Sequence, residues 1–174
     1  MERLQSRKRI LLIEDILVIR MSVKATLGCD YDVDEALTAQ QAKNMIKVNK
    51  YDVILADLNV GDLKGADTIR AIHEVANGIP IVVCSGNIDR EVAVELIKLN
   101  ITEILSKPID KDRLKYTVDR VISQNEIIST GLVWANPEYG TDNQNSDSIT
   151  DRSDRGSILR NTLIKSLQNK GFKL

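Results

Sequence analysis

Several short apolar runs in this sequence end in a polar group that can take part in chemistry. The stretch 51–59 contains one such run and delivers Asp57 at its carboxyl end. Three other runs do the same, and their terminal groups are Glu14 with Asp15, Ser85, and Lys107 with Pro108. Because ligands of open α/β sheets bind outside the carboxyl ends of the parallel strands, we expect these groups to meet in one place. Together they predict a site that places a phosphoryl group on Asp57.

The acidic residues among these groups predict a metal site. Three carboxylates close together repel one another, and a hard divalent cation held by Glu14, Asp15 and Asp57 relieves that repulsion. The backbone carbonyl of Asn59 can add a further oxygen. Such a site suits Mg²⁺ better than Ca²⁺, which takes more protein oxygens. An aspartate beside Mg²⁺ can act as the nucleophile that forms an aspartyl phosphate.

The other groups supply charge stabilisation, which is most of what phosphoryl transfer needs from a protein. Lys107 offers a fixed ammonium, and Ser85 offers a short hydroxyl donor. Each residue also has an ordinary interpretation, such as a helix cap for Asp15 or a turn residue for Ser85. Their joint occurrence at four successive strand ends favours the phosphoryl site. His73, the one histidine, falls on a predicted helix away from these ends, so we expect the donor to be another protein or a small phosphate compound.

Composition limits the class of protein. The chain has 174 residues, of which 43% are hydrophobic and 28% charged, and its net charge of −1 gives no general attraction to nucleic acid or membrane. No apolar run approaches the roughly 20 residues of a membrane span, and the basic N-terminus lacks the apolar region of a secretory signal. Cys29 and Cys84 are far apart and predict two free thiols, the second in the core. We therefore expect a cytoplasmic protein.

Five strand patterns alternate with five helix patterns. Strands are predicted at 10–13, at 31–36 on an edge, within 51–59, at 81–84 and at 103–106. Helix start or stop signals lie at Asp15, Gly28, Thr38 with Gln41, Asn77-Gly78, Asn87 or Asp89, and Asp110. The first helix is expected to bury Ile16, Ile19, Val23 and Leu27. This alternation predicts an α/β fold with a five-stranded parallel sheet, helices on both faces, and the flavodoxin-like doubly wound strand order 2-1-3-4-5.

The character of the sequence changes after about residue 125. We predict a domain at 1–125 and a C-terminal extension at 126–174, which begins with an apolar stretch, 127–134, that packs back on the domain. Residues 136–157 are rich in Asn, Asp, Ser, Thr and Gly and predict a disordered linker.

A short basic amphipathic helix is predicted at 157–171, with Ser157 as its cap and Gly171 as its end. Its apolar stripe consists of Leu159, Leu163 and Leu167. Such a helix can bind a partner groove, a membrane surface or nucleic acid, or it can dock weakly on its own domain or stay disordered.

The chain resembles the receiver domain of bacterial two-component response regulators, of the stand-alone, chemotaxis-regulator kind. The matching residues are Glu14-Asp15, Asp57, Ser85 and Lys107-Pro108, and Arg20 falls where the family often has a basic residue. The resemblance covers roughly residues 8–124. It implies a phosphorelay in which a histidine kinase or a histidine phosphotransfer protein passes a phosphoryl group to Asp57.

The same resemblance implies roles for the other residues. Glu14, Asp15 and Asp57 hold Mg²⁺, while Ser85 and Lys107 contact the phosphoryl group. The face made of the fourth helix, fifth strand and fifth helix reports the change to a protein target, and a phosphorylation-dependent homodimer is left open. Two further positions, Asn59 and Asn87, either tune dephosphorylation or are plain loop and cap residues.

This sequence departs from the family pattern at three places. The acidic pair is Glu14-Asp15 where Asp-Asp is commoner, and a glutamate still supplies an oxygen. Gly61 stands where the family usually has proline, which predicts a looser loop. Ile104 stands at the switch position where many members carry a tyrosine or phenylalanine that follows the hydroxyl of the Ser85 position inward on activation; an isoleucine cannot present a ring, which leaves the usual readout open.

The first interpretation is therefore a receiver that signals by protein–protein contact, since no output or DNA-binding domain is visible. It is not expected to be an enzyme beyond self-catalysed phosphotransfer and autodephosphorylation. The alternative is a receiver-like module that is never phosphorylated and signals by constitutive binding, which only Ile104 and the Glu14-Asp15 pair favour. A haloacid-dehalogenase-like hydrolase would need Asp-x-Asp after its first strand, which this chain lacks.

Overall fold

The computed structural model describes residues 7–61, 63–130, 161, 164–165 and 167–168. Strands and helices alternate through the chain as the sequence predicts. They are β1 (Arg9–Ile13), α1 (Leu17–Leu27), β2 (Asp32–Ala36), α2 (Ala39–Val48), β3 (Val53–Asp57), α3 (Ala66–Ala76), β4 (Ile81–Ser85), α4 (Arg90–Lys98), β5 (Glu103–Ser106) and α5 (Lys111–Thr130).

All five strands are parallel and form one sheet in the order β2-β1-β3-β4-β5, which confirms the predicted topology. Every residue of β3 and β4 is buried, because both strands lie inside the sheet and are covered on both faces. The register pairs Asp57 with Cys84 and Ser85 with Ser106, so the carboxyl ends of neighbouring strands lie at the same edge. That edge carries the candidate site.

Side chains alternate between the two faces of the sheet, as strand geometry requires. Leu11 and Ile13 of β1 join an apolar cluster with the buried faces of α2, α3 and α4. Ile10 and Leu12 join a second cluster with α1 and α5. We call these the α2–α3–α4 cluster and the α1–α5 cluster, and both faces of the sheet are therefore covered as predicted.

The start of α1 differs from the prediction. Asp15 does not cap the helix: the N-cap is Ile16, whose backbone is extended and which makes no side-chain capping bond. The Ile16 N–H instead donates to Oε1 of Glu14 at 3.2 Å. Ile16 lies before the helix and is 51% exposed, so it is not part of the core as predicted. Val23 and Leu27 are buried, and Ile19 packs against the α1–α5 cluster.

Other predicted caps are present with one change of partner. Thr38 accepts from the Gln41 N–H at 3.1 Å, but the Gln41 side chain accepts from the N–H of Leu37, one residue before the cap, at 2.8 Å. Of the two alternatives for α4, Asp89 is the cap, accepting from the Val92 N–H at 2.8 Å. Asp110 likewise accepts from the N–H of Arg113 at the start of α5.

The C-terminal end of the domain also differs in part from the prediction. Helix α5 continues to Thr130, past the predicted boundary at residue 125, and Ile127 is 49% exposed. The rest of the 127–134 stretch beyond residue 130, the linker 136–157 and the predicted ends of the last helix, Ser157 and Gly171, lie outside the described residues.

Residues 161, 164–165 and 167–168 are helical, as predicted. Leu167 is completely buried and belongs to the α2–α3–α4 cluster, while its stripe partners Leu159 and Leu163 lie outside the described residues. In the part of the chain that the structure describes, we find no helix of the length and apolar character that crossing a membrane requires.

Candidate functional site

Three carboxylates meet where β1 and β3 end. Each of Glu14, Asp15 and Asp57 places one carboxylate oxygen within 4.8 Å of the others. Glu14 and Asp57 are buried, with 1% and 7% of their surface exposed, whereas Asp15 is open to solvent. The site therefore consists of two buried carboxylates and one exposed carboxylate at its rim.

Lys107 provides the positive charge of the site. Its Nζ lies 2.5 Å from Oε2 of Glu14 and 3.0 Å from Oδ2 of Asp57. Its backbone N–H donates to the carbonyl of Ser85 at 2.8 Å, which ties the end of β5 to the end of β4. Burial disfavours the ammonium, but the hydrogen bonds and charges of Glu14 and Asp57 outweigh it, so the pKa of Lys107 is raised. The lysine is thus charged at neutral pH.

The backbone and the lysine orient Asp57 from two sides. The Leu58 N–H donates to Oδ1 at 2.8 Å, and the Lys107 ammonium contacts Oδ2. Both oxygens are therefore held by donors at the end of a strand whose five residues are all buried. Such a carboxylate has little rotational freedom, so its two oxygens keep a fixed orientation at the strand ends.

Arg20 fixes the backbone of the acidic pair. Its guanidinium donates to the carbonyl of Glu14 at 3.2 Å and to that of Asp15 at 2.7 Å, and it forms an ion pair with Glu35 at 3.4 Å. Sequence reasoning noted the position of Arg20 only through the family resemblance. The physical role that the structure gives it is to hold the chain between β1 and α1 in place.

Gly61 has a contact that sequence reasoning missed. Its N–H donates to Oδ2 of Asp15 at 3.4 Å, and its φ of +63° lies in the left-handed region that favours glycine. Proline has no N–H and a fixed negative φ, so it would fit neither feature. Backbone bonds between Val60 and Leu63, at 3.2 and 3.3 Å, close the loop. The sequence shows the glycine, which indicates an unusual backbone angle, but it does not show the contact with Asp15.

Ser85 and the two asparagines lie around the acidic centre. Ser85 is buried and its hydroxyl donates to the backbone carbonyl of Asn87 at 2.8 Å. The side chain of Asn59 accepts from the N–H of Gly65 at 3.3 Å, which links this loop to the start of α3. Asn87 itself is exposed. These bonds give Asn59 a structural task, and they orient the hydroxyl of Ser85 at the end of β4.

Ile104 is completely buried on the α4 side of β5, in register with Val83 of β4. Its neighbour Leu105 faces the α1–α5 cluster. His73 is exposed on α3, and Cys84 is buried while Cys29 is exposed, both as free thiols. These placements agree with the sequence interpretation of the histidine and of both cysteines.

An exposed apolar patch lies beside the site, at the start of α1. Leu17, Val18 and Met21 are 58%, 74% and 61% exposed, directly after the acidic pair in the chain. Ile16 adds to this patch, whereas the sequence predicted it inside the core. We call these four residues the α1 patch. Exposed apolar groups next to a reactive site are typical of a surface that another protein covers.

Fold and site together define a class: a doubly wound α/β domain that presents acidic groups and a lysine at the carboxyl ends of its strands. The chain matches the model of the response regulator receiver domain over residues 10–119. It therefore belongs to the family of response regulator receiver domains.

Known proteins with similar sequences include two transcriptional regulators. The regulatory protein ZraR of Escherichia coli O157:H7 is 28% identical over 120 residues, which are 68% of this chain and 27% of ZraR. The cell cycle regulator CtrA of Caulobacter vibrioides is 24% identical over 147 residues, which are 81% of this chain and 64% of CtrA. The chain thus spans less than two thirds of the length of either relative.

Solved structures with the same fold include the chemotaxis response regulator CheY4 of Vibrio cholerae. It superposes with a TM-score of 0.60 and 25% identity, covering 67% of this chain and 99% of CheY4. A CheY-like receiver domain protein of Methanospirillum hungatei superposes with a TM-score of 0.66 and 24% identity, covering 70% of this chain and 98% of that one. The second comparison supports the fold alone.

Proposed function

We propose that this receiver domain accepts a phosphoryl group on Asp57 within a two-component phosphorelay and passes the signal on by protein–protein contact. The observation that carries the proposal is the position of the Lys107 ammonium, 2.5 Å from Glu14 and 3.0 Å from Asp57, with Asp15 at the rim. An acidic pair, a nucleophilic aspartate and a fixed ammonium are the parts that phosphoryl transfer to a carboxylate requires.

We propose Mg²⁺ as the metal of this site. The donors are hard oxygens, two of them buried and one, on Asp15, open to solvent, which leaves room for coordinated water. Glu14, Asp15 and Asp57 would hold the ion, together with the backbone carbonyl of Asn59. When bound, it supplies positive charge next to the oxygens of the phosphoryl group.

The residues of the chain have the following parts in the reaction. An oxygen of Asp57 attacks the phosphorus, the new P–O bond forms, and the bond from phosphorus to the donor breaks. Lys107 exchanges its contact with Oδ2 of Asp57 for one with a phosphoryl oxygen. The hydroxyl of Ser85 turns away from the Asn87 carbonyl and donates to a second phosphoryl oxygen. Water later hydrolyses the aspartyl phosphate. The chain thus catalyses only its own modification and turns over no other substrate.

A histidine kinase or a histidine phosphotransfer protein is the proposed donor. The chain's single histidine, His73, is exposed on α3, whereas the site lies at the strand ends, so the donor histidine comes from elsewhere. The α1 patch adjoins the acidic pair and offers that partner an apolar surface. Two free thiols agree with a cytoplasmic location.

The test is to incubate the full chain with acetyl phosphate and Mg²⁺ and to read the intact mass at short intervals. The wild type is expected to gain one phosphoryl group, which Asp57→Asn and excess EDTA each abolish. Asp112→Asn, which changes an exposed aspartate in the first turn of α5, is the matched control and is expected to gain it too. A folded wild type that gains no group at any time would instead favour a module that binds constitutively.

A further inference from the structure

Leu167 belongs to the C-terminal extension, yet its side chain is completely shielded from solvent. The helical residues around it divide into two sides. Asn161, Lys165 and Gln168 are exposed, whereas Ile164 is partly and Leu167 fully buried. Positions i, i+4 and i+7 share one side of a helix, and the pair i, i+3 shares another. This C-terminal segment, residues 161, 164–165 and 167–168, therefore turns one apolar side toward the domain.

The apolar cluster that contains Leu167 places this segment on one face of the sheet. Leu167 belongs to the α2–α3–α4 cluster and not to the α1–α5 cluster. Within that layer α2 and α3 are linked by the ion pair Lys43–Glu74, and α3 and α4 by Arg70–Glu95. The three helices thus lie side by side, which leaves two outer flanks, one beside α2 and one beside α4.

The flank beside α2 is polar. It lies over the edge strand β2, whose residues on this side include Asp32 and Asp34. Arg7 pairs with Asp32, and Arg9 pairs with Asp34 at 2.6 Å. A leucine placed here would cover charged groups and gain little from burial. This flank is a poor site for Leu167.

The flank beside α4 is apolar. Glu95 faces α3, so Ala93 and Ile97, four residues apart and on the opposite side of the helix, face away from α3. Ala93 is completely buried and Ile97 packs against the cluster. Below them, Ile104 is completely buried although β5 is an edge strand. Within residues 63–130 no helix lies beyond α4 on this side, so another part of the chain must cover this flank.

We propose that the C-terminal segment docks on the α4 flank, formed by Ala93, Ile97 and Ile104, with Leu167 as its anchor. The flank is then an interaction surface whose resident ligand is the chain's own extension. Because the segment is tethered, a small apolar contact suffices to hold it, and any other protein that binds this surface must displace it. This placement rests on the burial of Leu167 and of the α4 flank, and not on the proposed phosphorylation of Asp57.

Hydrogen exchange of the full chain tests this placement. Leu167→Asp is expected to speed backbone exchange at least about tenfold in peptides from α4 (Arg90–Lys98) and β5 (Glu103–Ser106), because the covering side chain is lost. Peptides from α1 (Leu17–Leu27) are expected to exchange at the wild-type rate. Gln168→Asp adds the same charge at the adjacent exposed position and is expected to change nothing. Leu167→Ala is expected to give an intermediate effect in the same peptides.

Three results would overturn the proposal. The first is that exchange in α4 and β5 is as slow in Leu167→Asp and Leu167→Ala as in the Gln168→Asp control, which would mean that the segment does not cover them. Faster exchange confined to α2 and β2 would place the segment on the other flank. Equal acceleration in every strand, including β1 and β3, in both Leu167 variants would make Leu167 a general core residue and not the anchor of a docked ligand.

Discussion

The ammonium of Lys107 lies 3.0 Å from the carboxylate of Asp57, although Lys107 follows β5 and Asp57 ends β3, and β4 lies between these two strands. A long side chain is needed to bridge that distance across the strand ends. Its stem is largely buried, and its charge also satisfies Glu14. The same lysine therefore neutralises part of the negative charge of the acidic site.

Removal of that lysine is expected to destabilise the domain. Lys107→Ala leaves two buried carboxylates without a cation, which typically costs about 3 kcal/mol. Urea unfolding in EDTA should show that loss, and added Mg²⁺ should restore part of it. Lys111→Ala, at an exposed position at the start of α5, should unfold like the wild type. Equal stability of Lys107→Ala and the wild type in EDTA would contradict the proposed electrostatic role.

Loss of the Ser85 hydroxyl is expected to slow phosphorylation without loss of the fold. A hydrogen bond to a charged group contributes about 1.5–3 kcal/mol, which corresponds to about a ten- to hundredfold lower rate with acetyl phosphate. Ser85→Thr keeps the hydroxyl and should retain most of the rate. If Ser85→Ala reacts as fast as the wild type, the serine does not contact the transferring group.

The α1 patch is expected to affect the rate of phosphoryl transfer from a protein donor but not from a small phosphodonor. Met21→Glu places a charge within the patch and should lower the rate of transfer from a phosphorylated histidine protein at least about tenfold. Labelling by acetyl phosphate should be unaffected, since the acidic centre is intact. Val48→Glu, 79% exposed at the end of α2, is the control. Equal slowing with both donors would show that the variant damages the site itself.

Tyr51 is expected to make stability depend on alkaline pH. Burial, with a hydrogen bond to Asp34, raises the pKa of Tyr51 to about 12. Because folding raises this pKa, Tyr51 contributes fully to the free energy of unfolding below the unfolded pKa of about 10. That contribution is lost as the pH rises through 12.

Between pH 9 and pH 11.5 the wild type should therefore lose about 2 kcal/mol more unfolding free energy than Tyr51→Phe does. Denaturant unfolding at both pH values measures this difference. Tyr116→Phe, at a position that is 67% exposed, should lose as much as the wild type. The account would be contradicted if the unfolding free energy of Tyr51→Phe had the same pH dependence as that of the wild type.

The sequence was sufficient to predict the sheet and most of the site because both depend on local patterns. Apolar runs of strand length ending in Glu14, Asp57, Ser85 and Lys107 defined the strand order and the edge where these residues meet. Continuous apolar runs similarly identified β3 and β4, and apolar spacing with a period of about 3.6 identified most of the buried faces of the helices. These features require no knowledge of distant contacts.

What the sequence did not predict depends on contacts between segments. The bond from the Gly61 N–H to Asp15 joins two loops, and no local pattern shows it. Ile16 was assigned to the core because its spacing fits a helix, but the helix begins one residue later. Burial of Leu167 likewise depends on where the C-terminal segment lies, which its amphipathic pattern leaves open.

The most direct test of the account locates the phosphoryl group itself. The full chain is phosphorylated with acetyl phosphate and Mg²⁺ and then treated with sodium borohydride, which reduces an aspartyl phosphate to homoserine, and the peptides are mapped by mass spectrometry. The account predicts homoserine at position 57, and none there when EDTA is present. Homoserine at position 15 in place of position 57, or a phosphorylated chain with an unreduced Asp57, would contradict it.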